Sequence, residues 1–293
     1  MLKKQAILIM CHNDFYILEK SLELLDNEKI DFYVHVDSKV NNFDFEKVKL
    51  KINKGRIFFT NRINVTWGTY SQIETELLLI KEALKHEDYL YLHLISGSDL
   101  PIKQSTEIVE YFQNNYPSEF IGYNDFNGIK EYMADRVRYF HFIQENFRYD
   151  QEAKNNYIKN IELQKKVGIN RIKDENFSLR VGANWFSITS ELAKYVLSKE
   201  SLINSMFSYG YCADELFLQS IVYNSPFFEK VCKLYENDNE NCKRLIDWKR
   251  GNPYIFKTCD YEEIMNSTAM FARKFSTTID KEIIDLIYNN LNS

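Results

Sequence analysis

Three short apolar runs constrain this chain more than any other feature: QAILIMC (5–11), IDFYVHVD (30–37) and DYLYLHLIS (88–96). Each has the length of a strand and is too short for a buried helix. Between them the apolar residues recur at helical spacing. Leu18, Leu22 and Leu25 share one face of a helix that Asp14 could cap, and Ile73, Leu77, Ile80 and Leu84 share a face of a longer one opening at Thr69 or Ser71. A short helix around 44–52, a strand over 56–59, a helix in STEIVEYFQNN (105–115) and a strand in EFIGYN (119–124) continue the series. Such alternation predicts an α/β fold with a mostly parallel sheet flanked by helices. Parallel strands deliver their carboxyl ends to one edge, where ligands bind. The polar residues His12, Asp37, Ser96 and Asp99 stand at those ends.

The rest of the 293 residues reads as part of the same unit. With four prolines and nine glycines there is no linker, and 45% hydrophobic content can supply a core. A regular half, 1–125, and a less regular half, 126–293, are expected within one continuous domain. Later signals are a strand-like run ending at Phe186, a helix capped by Thr189 or Ser190, and a Gly-containing turn before ADELFLQ (213–219). A last amphipathic helix lies near 280–291.

Several function classes drop out. A net charge of −5 argues against nucleic acid as a partner. Five cysteines, an odd number with no CxxC pair, argue against a disulfide framework or a structural zinc and for a reducing compartment. The apolar run at the start is too short for a signal sequence, and no stretch approaches the roughly 20 apolar residues of a membrane span. A soluble, cytoplasmic protein is expected. There is no GxGxxG after the first strand and no GxxxxGK[ST], so neither an ordinary dinucleotide enzyme nor a P-loop NTPase fits.

Seven motifs in order then carry a resemblance. HVDSK (35–39), VTWGTYSQIETELLLI (65–80), LISGSDLPIK (94–103), GANWFSITSELAKYV (182–196), ADELFLQSIV (213–222), RLIDW (244–248) and MFARKF (270–275) resemble the core-2/I-branching β-1,6-N-acetylglucosaminyltransferases and peptide O-xylosyltransferases of glycosyltransferase family 14. The likeness runs over about 5–276, and the chain reads as a bacterial member. It implies a GT-A-type, Rossmann-like fold with a nucleotide-sugar half (1–125) and an acceptor and catalytic half (126–293). It further implies a UDP-sugar donor, inversion at the anomeric carbon and independence from metal, with no cofactor. The implied acceptor is a glycan or glycolipid in surface polysaccharide synthesis, with transient membrane association through a lipid-linked acceptor. N-acetylglucosamine is the first donor sugar and xylose the second.

The residues themselves allow a sharp and a bland reading each. Asp99 is a lone acid, with Gly97 where a metal-binding pair would have its first; one carboxylate is a poor site for a divalent ion. Asp99 is either an anchor for acceptor or donor, with Ser96 beside it, or the turn's own acceptor; the resemblance favours the site. Asp37 could hold the nucleoside or close an Asx turn; the resemblance favours nucleotide contact, with Met10 and His12 adjacent. Trp67 and Gly68 either cover the donor or pack under a helix start. Asp214 looks like a helix cap, and acids at a helix start stabilise its dipole. For Glu215 the resemblance implies the general base. It likewise implies a diphosphate role for Lys274 beside Arg273, with Arg250 or Arg244 as the partner arginine. Acceptor contacts are expected from Trp185, which could stack on a sugar, and from Arg136 or Arg138. The rivals are a metal-dependent hydrolase built on His12, His35, Asp37, His93 and Asp99, and a non-catalytic carbohydrate-binding protein. Against the first, no HExxH is present.

Overall fold

The computed structural model describes residues 3–124, 129–143, 147, 149–174, 176–232 and 238–292. The expected division at 125/126 falls on residues outside these. Four strands run parallel: β1 (Gln5–Cys11), β2 (Ile30–Val36), β3 (Arg56–Phe59) and β4 (Tyr91–Ser96). The six-stranded sheet has the order β3-β2-β1-β4-β7-β6. Its far edge comes from β6 (Phe120–Ile121) and β7 (Phe186–Thr189), and β7 is antiparallel to both of its neighbours. A mixed α/β fold with a mostly parallel sheet therefore stands as the alternation predicts. A second, three-stranded sheet joins β5 (Leu100–Pro101), β9 (Phe271–Arg273) and β8 (Arg244–Ile246) in the order β5-β9-β8.

Helices cover both faces. On one lie α1 (Phe15–Leu25), α2 (Phe45–Lys49) and α4 (Ser105–Asn114), packing Leu18, Leu22, Val48, Ile108 and Phe112 against Ile7, Ile9, Phe32 and Val34. On the other, α3 (Ser71–His86), α7 (Ser190–Ser198), α8 (Glu200–Phe207) and α9 (Phe217–Tyr223) seat Leu77, Ile80, Leu192, Ile203 and Ile221 against Ala6, Leu8 and Leu92. Strands buried on both faces read as continuous apolar runs, which is why the first three were legible. The remaining helices are α5 (Glu131–Arg138), α6 (Gln151–Lys166), α10 (Asp238–Asn241), α11 (Tyr261–Met265) and α12 (Glu282–Leu291). The last two pack with Leu100, Ala272 and Phe275 of the second-sheet region.

Asp14 departs from expectation. It precedes α1 with φ 50° and makes no cap; its carboxylate instead accepts from Thr277 N–H (2.8 Å) and Oγ1 (2.9 Å). It ties the helix start to the chain after β9. Thr189, by contrast, caps α7 through Leu192 N–H.

Candidate active site

Register brings the carboxyl ends of β1, β2 and β4 level: Cys11 pairs with Val36, and Met10 with Ser96. His12, Asp37 and Gly97 therefore follow one another along a single edge. Gly97 is needed there because a Cβ would sit 2.6 Å from the Cβ of Cys11. Its N–H donates to Met10 O (2.9 Å), so Met10 contributes its backbone carbonyl to the turn itself.

The SGSD turn is a clamp. Asp99 is buried; its carboxylate accepts from Ser96 N–H (2.8 Å) and Ser96 Oγ (2.7 Å) and pairs with Arg273 Nη1 at 3.0 Å. Ser96 Oγ accepts from the same Arg273 nitrogen at 3.0 Å. Ser98 O accepts Phe275 N–H at 3.0 Å. The turn thus holds ARKF, far away in sequence, against the end of β4. Asp99 and Ser96 are thus engaged with Arg273 and support that arginine. A buried pair of this kind persists only with its extra hydrogen bonds in place, as here.

His12 faces the same ground. Its imidazole reaches solvent, yet partial desolvation lowers its pKa; Asp37 opposes the shift while Lys274, Lys39 and Arg273 add to it. Three cations and one imidazole therefore share one field at the strand ends. Asp37 is buried and accepts from Lys39 N–H (2.9 Å), Lys39 Nζ (3.0 Å) and Val65 N–H (3.3 Å). Lys39 Nζ also reaches Val65 O at 2.6 Å, fastening HVDSK to the loop that carries Trp67. Trp67 is 41% exposed and meets Tyr211 edge-on, with ring centroids 5.9 Å apart. Gly68 has φ +80°, and a Cβ there would lie 3.0 Å from the Tyr211 ring. Its carbonyl accepts Cys212 N–H at 2.9 Å.

Beyond Cys212 comes a single 3-10 turn, Ala213–Glu215, then α9. The Glu215 side chain is 37% exposed and paired with Arg136 Nη1 at 2.5 Å. Arg136 stays a cation: burial opposes its charge, but the Glu215 carboxylate outweighs it and raises its pKa. Asp214 is buried in the turn and caps nothing, which corrects its reading as a helix cap.

GANWF joins the two groups. Gly182 N–H donates to Glu215 O (3.0 Å), Asn184 Nδ2 reaches Asp214 Oδ2 (3.4 Å), and the Arg273 guanidinium lies 4.3 Å above the Trp185 ring. Trp185 is 8% exposed with Arg273 on one face, so it serves as a cation platform instead of an open sugar-stacking surface.

Four of the candidate arginines are engaged within the protein. Arg244 is 2% exposed, donating to Leu94 O (2.9 Å), Phe186 O (2.7 Å), Ser187 Oγ (2.9 Å) and Cys242 O. Burial lowers its pKa to about 10, and its bonds run from β8 to β4 and β7, joining the two sheets. Arg250 sits on the outside with Asp247, Asp260 and Glu263, which cancel its charge. Arg138 is held by Glu131 and Asp135, and Arg136 by Glu215, so neither is set aside for an acceptor. Sequence reasoning did not single out Gln72, Lys39, Tyr211 or Asn184. All four stand inside or beside quoted motifs, and that adjacency was the available signal.

The residues of the hydrolase rival do not assemble. His93 is fully buried between Gln5 Oε1 (3.0 Å) and Ser187 Oγ (2.8 Å). His35 accepts Ile63 N–H at 2.8 Å, and burial lowers its pKa to about 4. Among the described residues no three His, Cys, Asp or Glu side chains are gathered to hold a metal ion. Nor is any helix among them long and apolar enough to cross a membrane.

Comparison with known proteins adds the following. The profile of Core-2/I-Branching enzymes matches residues 6–268. Xylosyltransferase 2 of Rattus norvegicus is 24% identical over 291 residues, covering 92% of this chain and 31% of its own length. Xylosyltransferase sqv-6 of Caenorhabditis briggsae is 22% identical over 276 residues, covering 87% and 32%. This chain thus spans about a third of the curated relatives it matches. Among solved structures, mouse xyloside xylosyltransferase 1 in its apo form aligns with 94% of this chain and 99% of its own, at 11% identity and a TM-score of 0.40.

Proposed function

This chain belongs to the Core-2/I-Branching enzyme family, and we propose that it is an inverting glycosyltransferase moving a sugar from a UDP-sugar to a glycan hydroxyl. One observation carries the reading: the SGSD clamp and GANWF set ARKF beside His12 and Asp37 and tie that ground to Glu215. In the proposed reaction the acceptor hydroxyl gives its proton to the Glu215 carboxylate as its oxygen attacks the anomeric carbon. Arg136 Nη1 pairs with that carboxylate and fixes its position. The bond from the anomeric carbon to the diphosphate oxygen breaks, its electron pair leaves with UDP, and Lys274, Arg273 and Lys39 meet the charge.

These fixed cations support a metal-independent reading. So does the turn itself, where Gly97 packs on Cys11 and the Asp99 carboxylate is committed to Ser96 and Arg273. UDP should raise the melting temperature equally with EDTA and with Mn²⁺; a shift seen only with Mn²⁺ contradicts metal independence. Of the donor sugars, xylose gains support from the names of the curated relatives, and N-acetylglucosamine remains the reading from the motifs. UDP release from UDP-xylose against UDP-N-acetylglucosamine, with one acceptor, decides between them.

A further inference from the structure

Two buried carboxyl groups lie under this site and take no part in the scheme above. Glu76, on α3, is 1% exposed, and neither of its oxygens has a hydrogen-bond partner. Asp214 is 5% exposed; Oδ2 accepts from Gln72 Nε2 at 2.9 Å and from Asn184 Nδ2 at 3.4 Å, while Oδ1 has no partner. Gln72 is a bridge: its Oε1 accepts Gly68 N–H, and its Nε2 donates to Asp214. With Cys212 N–H on Gly68 O, this locks the Trp67 loop to the turn that bears Glu215.

A charged Asp214 fits this place badly. An unpaired buried carboxylate is costly, and Glu215, next to it in sequence, opposes a second negative charge there. The titratable groups facing Asp214 are Glu76 from α3, Arg136 from α5, and Cys212 and Glu215 from its own segment. Burial first, then the Glu215 charge, pushes Asp214 up to about 7, while Arg136 and backbone donors pull against it. Burial and Asp214 together raise Glu76 well above the carboxylate range.

We propose that Asp214 is a positioning residue that works in its neutral form, held by Gln72 and Asn184 so that its turn presents Glu215 to the acceptor. The proton belongs on Oδ1, the oxygen without a partner. Losing it sets a second anion against Glu215 inside the protein and loosens the turn. The proposal rests on Glu215 as base, and its lock can be read without turnover.

Asp214→Asn keeps an oxygen for Gln72 and Asn184 and cannot ionise, whereas Asp214→Ala removes the lock. In the intact chain kcat should fall as pH rises from about 6 to about 8.5, and Asp214→Asn should remove that fall while staying within about threefold of the parent at the acid end. Asp214→Ala should lose about tenfold or more in kcat with UDP affinity unchanged. Amide exchange at Gly68 and Cys212 should quicken in the Ala variant and stay put in the Asn variant. Should the Ala variant not fold, Gln72→Met removes the same bridge and should give the same loss. An Asn variant as impaired as the Ala variant overturns the proposal, as does a pH profile identical in parent and Asn variant. An active Glu215→Gln would sink the base assignment instead, leaving the exchange at Gly68 to report the lock alone.

Discussion

A single arginine shows how far residue type alone can mislead. Arg244 stands beside Asp247 and Trp248 in a motif that resembles a donor-site segment, yet its guanidinium lies wholly inside, donating to carbonyls of β4 and β7. Nothing in RLIDW distinguishes a buried arginine from an exposed one, because the carbonyls that receive its guanidinium belong to residues 58 and 150 positions away. Arg244→Met should cost roughly 2–5 kcal/mol of stability, since it strands buried acceptors, and leave UDP affinity of the folded protein unchanged. Calorimetric titration beside a denaturant melt checks both; weakened UDP binding would return Arg244 to the donor site. Lys274→Ala should do the reverse. A charge-assisted contact to a diphosphate is worth roughly 1.5–3 kcal/mol, so UDP should bind about 10- to 100-fold more weakly with little change in melting. Unchanged affinity would make Lys274 a residue of the surface only.

At the level of elements, β1, β2 and β4 and their helices were legible because those strands are buried on both faces, and the half-buried β3 because its short apolar run is bounded by turn residues. The strand at 56–59 and those at Gln5–Cys11 and Ile30–Val36 fall where the apolar runs put them. The second sheet was not legible. Two- and three-residue strands such as Leu100–Pro101 and Phe271–Arg273 carry no periodicity, and only long-range pairing creates them. The same pairing explains why SGSD and ARKF could be quoted as separate motifs but not seen as one clamp. Asp14 failed as a cap for a local reason: its left-handed backbone turns the carboxylate away from the helix and toward Thr277. The clamp makes a prediction of its own. Asp99→Ala leaves Arg273 without its buried partner, so stability should fall by about 3–5 kcal/mol and UDP affinity should fall with it. Thermal melts and UDP titration read this; a stable variant with normal UDP binding would reduce Asp99 to turn closure.

Across the whole molecule, buried acids set how stability responds to pH. Glu119, fully buried, accepts from Thr189 N–H (2.8 Å) and Oγ1 (2.6 Å), and burial raises its pKa to about 7 against those bonds. With the folded pKa above the unfolded one, the native state holds the proton longer. Stability from this group is full below the unfolded value near 4.5 and is lost as pH rises through about 7. Glu119→Gln keeps an oxygen for Thr189 N–H and can donate its amide N–H to Thr189 Oγ1; it should flatten that descent, gaining stability over the parent at about pH 8 and little at about pH 5. Equal differences at both pH values would contradict the buried-acid account. The central claim concerns one carboxylate, and Glu215→Gln tests it most directly. The variant keeps the size of Glu215, so its melting curve and UDP affinity should stay close to those of the parent. Sugar transfer to an acceptor, followed as UDP release, should drop by about 10²–10⁴-fold. Near-normal transfer by a folded Glu215→Gln protein would contradict the account.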